Sequence, residues 1–174
     1  MLNIIIKLKL LQPEDAEALL KFEAENRAFF ETMVPSRGDE YYHIPNFLVR
    51  HEALLEDQSE GRASFYLIKD SHNILGRINI VDLNDNRKVG HLGYRIGKIH
   101  TGKGVATQAL SLLLKDSIAT SLRQLHAKTT MNNISSQKVL QKNGFIHEKT
   151  EKNSFEMYGE FVKFIHYTWT NPEY

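Results

Sequence analysis

The hydrophobic pattern of this chain changes its period several times, and each change predicts a new element. Residues 4–10 begin with β-branched side chains and then alternate, which predicts a strand. Apolar positions at helical spacing follow, and they predict a helix that starts at Pro13 and ends near Phe30. A second helix is predicted over residues 47–57, with Gly61 as its stop. Neither helix carries a recognisable catalytic pattern.

The rest of the chain predicts a β meander, a helix, a strand, a short helix and a closing hairpin. Turn residues at 70–73 and 83–87 separate the strands of the meander. The predicted elements cover residues 64–69, 74–82, 88–96, 105–121, 125–131, 133–143, 145–152 and 160–168. Since the pattern contains neither a repeat nor a linker, it predicts one mixed α/β domain over residues 1–174.

Composition is that of a globular chain and excludes several kinds of chemistry. The 174 residues are 41% hydrophobic and 25% charged, with no cysteine and a net charge of +1. Without cysteine there is no disulfide, thiolate metal site or cysteine nucleophile. The eight histidines show no ligand spacing, so no metal is expected. The near-neutral charge argues against direct nucleic-acid binding. No apolar run is long enough for a signal peptide or a membrane span, which predicts a cytoplasmic location.

Charge is unevenly divided between the two halves of the chain. Residues 1–87 hold 10 basic and 15 acidic side chains, whereas residues 88–174 hold 12 and 6. Such a division is compatible with a cationic partner on the first half and an anionic one on the second. The alternative is that the helix surfaces of the first half are simply rich in glutamate.

A glycine-rich stretch between a predicted strand and a predicted helix is the most informative feature. Glycines at such a junction let backbone N–H groups approach an anion, and a helix N-terminus favours phosphate. One interpretation is the nucleotide-triphosphate loop G-x-x-x-x-G-K-[ST], which Gly97, Gly102 and Lys103 satisfy. Gly104 lacks the hydroxyl that this loop uses to hold Mg²⁺, and the stretch follows an antiparallel meander. These two features disfavour an NTPase.

The second interpretation rests on two motifs. Residues 91–96 (HLGYRI) and 102–109 (GKGVATQA) resemble E-x-G-Y-x-L and G-x-G-Y-A-T-E-A of the Rim-type ribosomal-protein N-terminal acetyltransferases. Residues 133–145 are similar to N-x-x-S-x-x-V-L-x-K-x-G-F of the same group. The chain therefore resembles the GNAT superfamily of acyl-CoA N-acyltransferases. The resemblance implies a three-layer mixed α/β (α+β) fold, with a central, mostly antiparallel twisted sheet of about seven strands and about four flanking helices.

The resemblance also implies acetyl-CoA as co-substrate and assigns residues to it. The backbone of the 94–96 segment is expected to line the pantetheine arm, and the amides of 101–107 to hold the pyrophosphate. Lys103 or Lys138 is expected near the adenosine phosphates. The implied binding residues are Tyr94, Arg95, Ile96, Thr101, Gly102, Lys103, Gly104, Val105, Ala106, Thr107, Asn133 and Ser136.

In this family the acetyl group passes directly to an amine in a ternary complex, so the missing cysteine is no obstacle. His91 and Glu156 are the two candidates for a general base, since an amine must be neutral to attack; deprotonation through water is the alternative. Leu140 stands where many relatives place a tyrosine that protonates the leaving thiolate. The resemblance to the Rim type implies that Ser136, one turn earlier, is the hydrogen-bond donor to the sulfur instead.

The resemblance leaves the acceptor open. A protein N-terminal α-amine, as on a ribosomal protein, is the first prediction, and a small amine such as an antibiotic or polyamine is the alternative. A GNAT module that binds acyl-CoA without transferring it is a third interpretation, because Ile99, His91, Leu140 and Lys163 depart from the usual residues. Homodimers are frequent in the family, so a homodimer is one oligomeric state that the resemblance allows; composition does not test it.

Overall fold

Helices and strands follow one another in the order that the hydrophobic pattern predicts, but several bounds differ. The structure, a computed structural model, describes residues 3–86 and 88–174. The strands are β1 (Lys7–Leu10), β2 (Ser64–Lys69), β3 (Ile74–Asn84), β4 (Val89–Ile96), β5 (Gln124–Thr130), β6 (Ile146–Thr150), β7 (Phe155–Met157), β8 (Glu160–Val162) and β9 (Phe164–Thr170). The helices are α1 (Ala16–Glu25), α2 (Arg27–Phe30), α3 (Ile44–Ser59), α4 (Val105–Leu113), α5 (Ser117–Ser121) and α6 (Ile134–Lys142).

Seven of these strands form one sheet in the order β1-β2-β3-β4-β5-β9-β6. Its neighbours pair antiparallel except β4 and β5, which are parallel. A parallel pair requires a crossover connection, and α4 and α5 provide it. The prediction of a mostly antiparallel sheet of about seven strands is confirmed.

Two hydrophobic cores lie on opposite faces of this sheet, and β2 shows how alternation separates them. Tyr66 and Ile68 belong to the core beneath α4 and α6. Phe65 and Leu67 belong to the second core, which packs against α1 and α3. Since successive side chains of a strand point to opposite faces, one continuous apolar run supplies both layers. The predicted three-layer arrangement is confirmed.

Both long predicted helices are interrupted by a polar side chain. Asn26 ends α1: its amide donates to the Phe22 carbonyl, and its Oδ1 accepts from the Lys98 N–H, both at 2.9 Å. Asp116 separates α4 from α5, because its Oδ1 accepts from the Ile118 N–H and from the Tyr66 hydroxyl, both at 3.0 Å. Short polar side chains offer the backbone partners outside the helix, so the predictions of unbroken helices to residues 30 and 121 are wrong.

The closing hairpin also differs from the prediction. β6 pairs with β9, but β7 and β8 form a separate two-stranded hairpin between them. Its turn is made by Tyr158 and Gly159, both with positive φ of 52° and 80°, which suits a tight two-residue connection. In the meander, β3 runs on to Asn84, and the last residue of the predicted 83–87 turn lies outside the described residues. Over the described residues, no helix combines the length and apolarity needed to cross a bilayer.

Candidate active site

The site begins where the two parallel strands of the sheet separate. Pairing between β4 and β5 ends at Leu92 and Ala127, although β4 continues to Ile96 and β5 to Thr130. α6 begins shortly after β5. The opening between these strand ends is therefore bounded by backbone on both sides and by the first turn of α6.

A cleft of about 540 Å³ occupies this region. One side of the cleft is formed by the end of β4 and by the glycine loop (residues 97–104) with the first turn of α4. The other walls are the first turns of α6, and α2 with the residues after it. All the predicted co-substrate residues except Lys103 line it. The lining residues to which the resemblance assigned no role are Phe29, Phe30, Met33, Val34, His100, Ser135, Val139 and Lys142.

The glycine loop has the geometry of an anion site. Gly102 and Gly104 have φ of +71° and +78°, a region that strongly favours glycine. A Cβ at Gly102 would enter open space, and one at Gly104 would come no closer than 3.8 Å to the Gln108 side chain. Gly104 is the N-cap of α4, which has no side-chain capping bond. The first-turn amides therefore face the cleft without intrahelical acceptors, and a pyrophosphate suits them.

Basic side chains reach the cleft mainly from α6. Lys138 and Lys142 both line it, and the sequence motifs indicated only the first as a phosphate contact. His100 lines the cleft beside the loop, and its pKa is lowered, first by burial and then by the charge of Lys103. The positive charge along the cleft therefore comes mainly from Lys138 and Lys142 on one face of α6.

Asn133, Ser136 and Tyr94 form a hydrogen-bonded group at the base of the cleft. Asn133 caps α6, with its Oδ1 3.1 Å from the Ser136 N–H. The Tyr94 hydroxyl, on β4, lies 2.8 Å from Ser136 Oγ. Burial raises the pKa of Tyr94 to about 12, so its phenol stays protonated at neutral pH. The structure thus brings together three residues that the sequence places in two separate motifs.

A second, smaller cavity of about 190 Å³ adjoins this group. The two cavities share five lining residues: Met33, Val34, Tyr94, Asn133 and Ser136. The outer walls of the smaller one are Phe155 and Met157 of β7 and Phe164 of β9. The Tyr158 hydroxyl donates to the Val34 carbonyl at 2.8 Å and so attaches the β7–β8 hairpin to the opposite wall.

The two candidate bases lie away from the shared residues. His91 is on the other face of β4 from Tyr94; its Nδ1 is 3.6 Å from Asp82 Oδ2, and its ring is 5.6 Å from that of His126. Glu156 is an exposed residue of β7 between Phe155 and Met157, which themselves line the smaller cavity. The structure thus groups Ser136 with Tyr94 and Asn133 and leaves both candidate bases outside that group.

Arg95 lines the cleft, but its guanidinium is already held by a carboxylate. Its Nη1 donates to Glu23 Oε2 at 3.1 Å, and its charge lies over the Phe30 ring at 4.7 Å from the ring centre. Arg95 therefore joins the end of β4 to α1 and α2 rather than presenting a free charge.

The fold is that of an acetyltransferase. The family model described as "Acetyltransferase (GNAT) domain" matches residues 6–146, so the chain belongs to the GNAT family. It is an acetyl-CoA-dependent N-acetyltransferase of that family.

Individual relatives agree with this assignment. The probable N-acetyltransferase YjcK of Bacillus subtilis is 27% identical over 154 residues, which are 86% of this chain and 84% of that protein. The ribosomal-protein-S5-alanine acetyltransferase of Vibrio fischeri has the same fold, with a TM-score of 0.87 and 22% sequence identity. The match covers 97% of this chain and 94% of that one. The spermidine N-acetyltransferase of Vibrio cholerae, solved with CoA and spermine, also has this fold. Its TM-score is 0.77 and its sequence identity 15%, over 95% of this chain and 95% of that one.

Proposed function

We propose that this protein transfers the acetyl group of acetyl-CoA directly to a protein N-terminal α-amine, as on a ribosomal protein. The observation that carries the proposal is the meeting of two cavities at Tyr94, Asn133 and Ser136. One cavity suits a long anionic co-substrate and the other a small acceptor. Direct transfer needs both to reach one point, since no covalent intermediate carries the acetyl group between them.

The chain would hold acetyl-CoA with the residues around the larger cleft. Acetyl-CoA supplies the activated thioester. The first-turn amides of α4 and the loop at 101–104 suit its pyrophosphate, and Lys138 and Lys142 stand near enough to the cleft to meet phosphate charge. The backbone of β4 beyond Leu92 has no strand neighbour on the β5 side within the register described, so it can pair with an extended pantetheine arm.

The smaller cavity favours a monoamine over a polycation. Its outer wall is apolar, and the charged side chain that lines it is Lys128, whose Nζ lies 4.3 Å from the centre of the Phe164 ring. An ammonium at the wall repels a polyamine or an aminoglycoside. An α-amine, with an ordinary pKa near 7.7–8.0, is already largely neutral at mildly alkaline pH. Deprotonation through water is therefore sufficient, and it fits the positions of His91 and Glu156 better than direct contact.

The acceptor is tested with a matched set of amines. The protein is incubated with acetyl-CoA and one of three acceptors: a peptide with a free N-terminus and no lysine, the same peptide with a blocked N-terminus and an added lysine, or spermidine. Products are detected by mass. We expect acetylation of the first peptide alone. Acetylation of spermidine or of the lysine side chain, while the free N-terminus of the first peptide stays unmodified, would contradict the proposed acceptor.

Binding is measured alongside by calorimetry with acetyl-CoA and with Mg-ATP. Acetyl-CoA binding without product on any amine would support the non-transferring module instead. Binding of Mg-ATP without binding of acetyl-CoA would support the NTPase interpretation of the glycine loop instead. Loss of transfer at high salt without loss of acetyl-CoA binding would show that charge attracts the acceptor.

A further inference from the structure

The Tyr94 side chain has a place in the site that the sequence motifs do not explain. We propose that Tyr94 is a positioning residue, whose phenol holds the Ser136 hydroxyl so that its hydrogen points into the cleft toward the thioester sulfur. This inference rests on the proposed function, because it takes acetyl-CoA to be the occupant of the larger cleft.

The direction of the hydrogen bond follows from the relative acidity of the two hydroxyl groups. Tyr94 Oη lies 2.8 Å from Ser136 Oγ and 3.4 Å from the Ser136 carbonyl oxygen. The contact to the carbonyl oxygen is long, and across the 2.8 Å contact either hydroxyl can donate. A phenol is a stronger acid than a serine hydroxyl and its oxygen is a weaker acceptor, so we take the phenolic hydrogen to be directed at Ser136 Oγ. A serine hydroxyl has one hydrogen and two lone pairs. When Tyr94 fills a lone pair of Oγ, the serine hydrogen remains available to a different acceptor.

The surroundings keep this arrangement fixed. Since burial raises the pKa of Tyr94 to about 12, the phenol remains a donor at any pH at which the enzyme would work. The Ser136 backbone is held by its N–H bond to Asn133 Oδ1. Both Tyr94 and Ser136 line both cavities, so the free serine hydrogen faces the place where thioester and amine would meet.

The chemistry that needs this hydrogen is the departure of the thiolate. The amine nitrogen forms a bond to the acetyl carbon while the carbon–sulfur bond breaks, and that electron pair stays on sulfur. The amine gives up its proton to water, and the thiol leaves with a proton taken from water. The Ser136 hydroxyl stabilises the developing negative charge on sulfur, and Tyr94 stays neutral throughout.

Its test uses Tyr94→Phe, Ser136→Ala and the double variant. Tyr66→Phe is the control, because it removes another partly buried phenol, one that is bonded to Asp116 Oδ1 at 3.0 Å in the core. The first readout is the thiolate absorbance of bound CoA as pH rises, with the complex of desulfo-CoA as the blank. We expect the pKa of the bound thiol to be lower by about 1 in wild type than in Tyr94→Phe or Ser136→Ala.

The second readout is kcat with an N-terminal peptide acceptor. We expect losses of about 10-fold for Tyr94→Phe and about 100-fold for Ser136→Ala. The double variant should be no slower than Ser136→Ala, because Tyr94 acts only through that hydroxyl. The dissociation constant of acetyl-CoA should change less than about twofold in each variant, and Tyr66→Phe should match wild type in both readouts.

Three results would overturn the inference. Tyr94→Phe with wild-type kcat and an unchanged thiol titration shows that the phenol does nothing for Ser136. A loss that adds to that of Ser136→Ala, with the thiol titration unchanged, assigns Tyr94 a purely structural role. Wild-type protein that fails to bind CoA overturns the proposed function and this inference together, and is recognised because no titration of bound thiol is seen at all.

Discussion

Glu23 Oε1 accepts a hydrogen bond from Arg77 Nη1 at 2.9 Å, and the carboxylate is fully buried. Its second oxygen accepts from Arg95 Nη1 at 3.1 Å, and Arg37 Nη1 lies 3.8 Å from the first. One carboxylate on α1 therefore counters three guanidinium groups, two of them on β3 and β4. Because Arg95 also lines the cleft, this buried ion cluster connects the helical layer to the strand that borders the site.

Removing the charge of Glu23 should destabilise the whole fold. Glu23→Gln leaves buried guanidinium groups without their counter-charge, so we expect the free energy of unfolding in urea to fall by about 3–5 kcal/mol. Glu25→Gln is the matched control on the same helix, since Glu25 is exposed and lies 3.8 Å from Lys21; its loss should stay below about 0.5 kcal/mol. Similar losses for the two variants would contradict the structural role given to Glu23.

A side chain at Gly104 should weaken acetyl-CoA binding as well as the fold. Gly104→Ala forces alanine to a φ of +78°, at a cost of about 1–2 kcal/mol in the free energy of unfolding. It also turns the α4 amides away from the cleft, and we expect acetyl-CoA to bind about tenfold more weakly. Gly61→Ala is the matched control: alanine there is strained in the same way, at φ +72°, and its Cβ would lie in open space at the end of α3, away from the cleft.

Calorimetry on the two glycine variants separates the two effects. Gly61→Ala should lose stability to a similar extent and keep the wild-type dissociation constant for acetyl-CoA. Equal weakening of binding in both variants would mean that the loop geometry at Gly104 has no special part in binding.

Turnover should depend on Ser136 more strongly than binding does. Ser136→Ala removes the hydroxyl nearest the junction of the cavities, so kcat should fall by about 100-fold while the acetyl-CoA dissociation constant changes little. Ser59→Ala provides the control, because the Ser59 hydroxyl donates to the Glu56 carbonyl at the end of α3. Steady-state kinetics with a peptide acceptor measure the difference, and a Ser136→Ala enzyme with full kcat would exclude the assigned role.

Alkaline pH should destabilise the fold partly through Tyr94. Its pKa is raised from 10.0 to about 12 by burial, so between these values the unfolded chain loses a proton that the folded protein keeps. The free energy of unfolding should therefore fall as pH rises from 10 to 12, by about 1.4 kcal/mol per pH unit from this one group. Below pH 10 the contribution is fully present.

Urea titrations at pH 9, 10, 11 and 12 measure this decline. The Tyr94→Phe protein should decline less steeply than wild type over the window. Tyr158→Phe, which removes an exposed phenol of the β7–β8 hairpin, should follow the wild-type curve. A wild-type slope in Tyr94→Phe would show that the phenol titrates freely in the folded protein.

Sequence patterns located the elements well where a local rule applied. Alternation identified the strands, and the glycines at 102 and 104 identified the loop because positive φ and an open helix N-terminus are local properties. The helix breaks at Asn26 and Asp116 were missed, since each depends on a partner brought close by the fold: Lys98 for the first and Tyr66 for the second. The β7–β8 hairpin was missed because its strands are only three residues long.

The site shows the same division between local and distant information. The resemblance assigned all the lining residues of β4 and most of those of the loop, but on α6 it assigned only Ser136 and Lys138. The motifs gave no sign of the contact between Tyr94 and Ser136, which are 42 residues apart in the chain. Nor did they indicate the α2 wall, whose residues are ordinary hydrophobic side chains until the fold sets them opposite the glycine loop. Pairings of that kind are fixed by topology rather than by composition.

The early separation of β4 and β5 also has a consequence for how the protein opens. Among the described residues, the strand register joins the N-terminal part of the sheet to its C-terminal part through four residue pairs, from Val89 with Gln124 to Leu92 with Ala127. Sequence changes that extended this short seam would strengthen the sheet and at the same time close the gap that admits a ligand. Selection for a tighter fold and selection for catalysis therefore oppose each other at this seam. Amide hydrogen exchange should show its residues opening more readily than the long antiparallel pairs on either side.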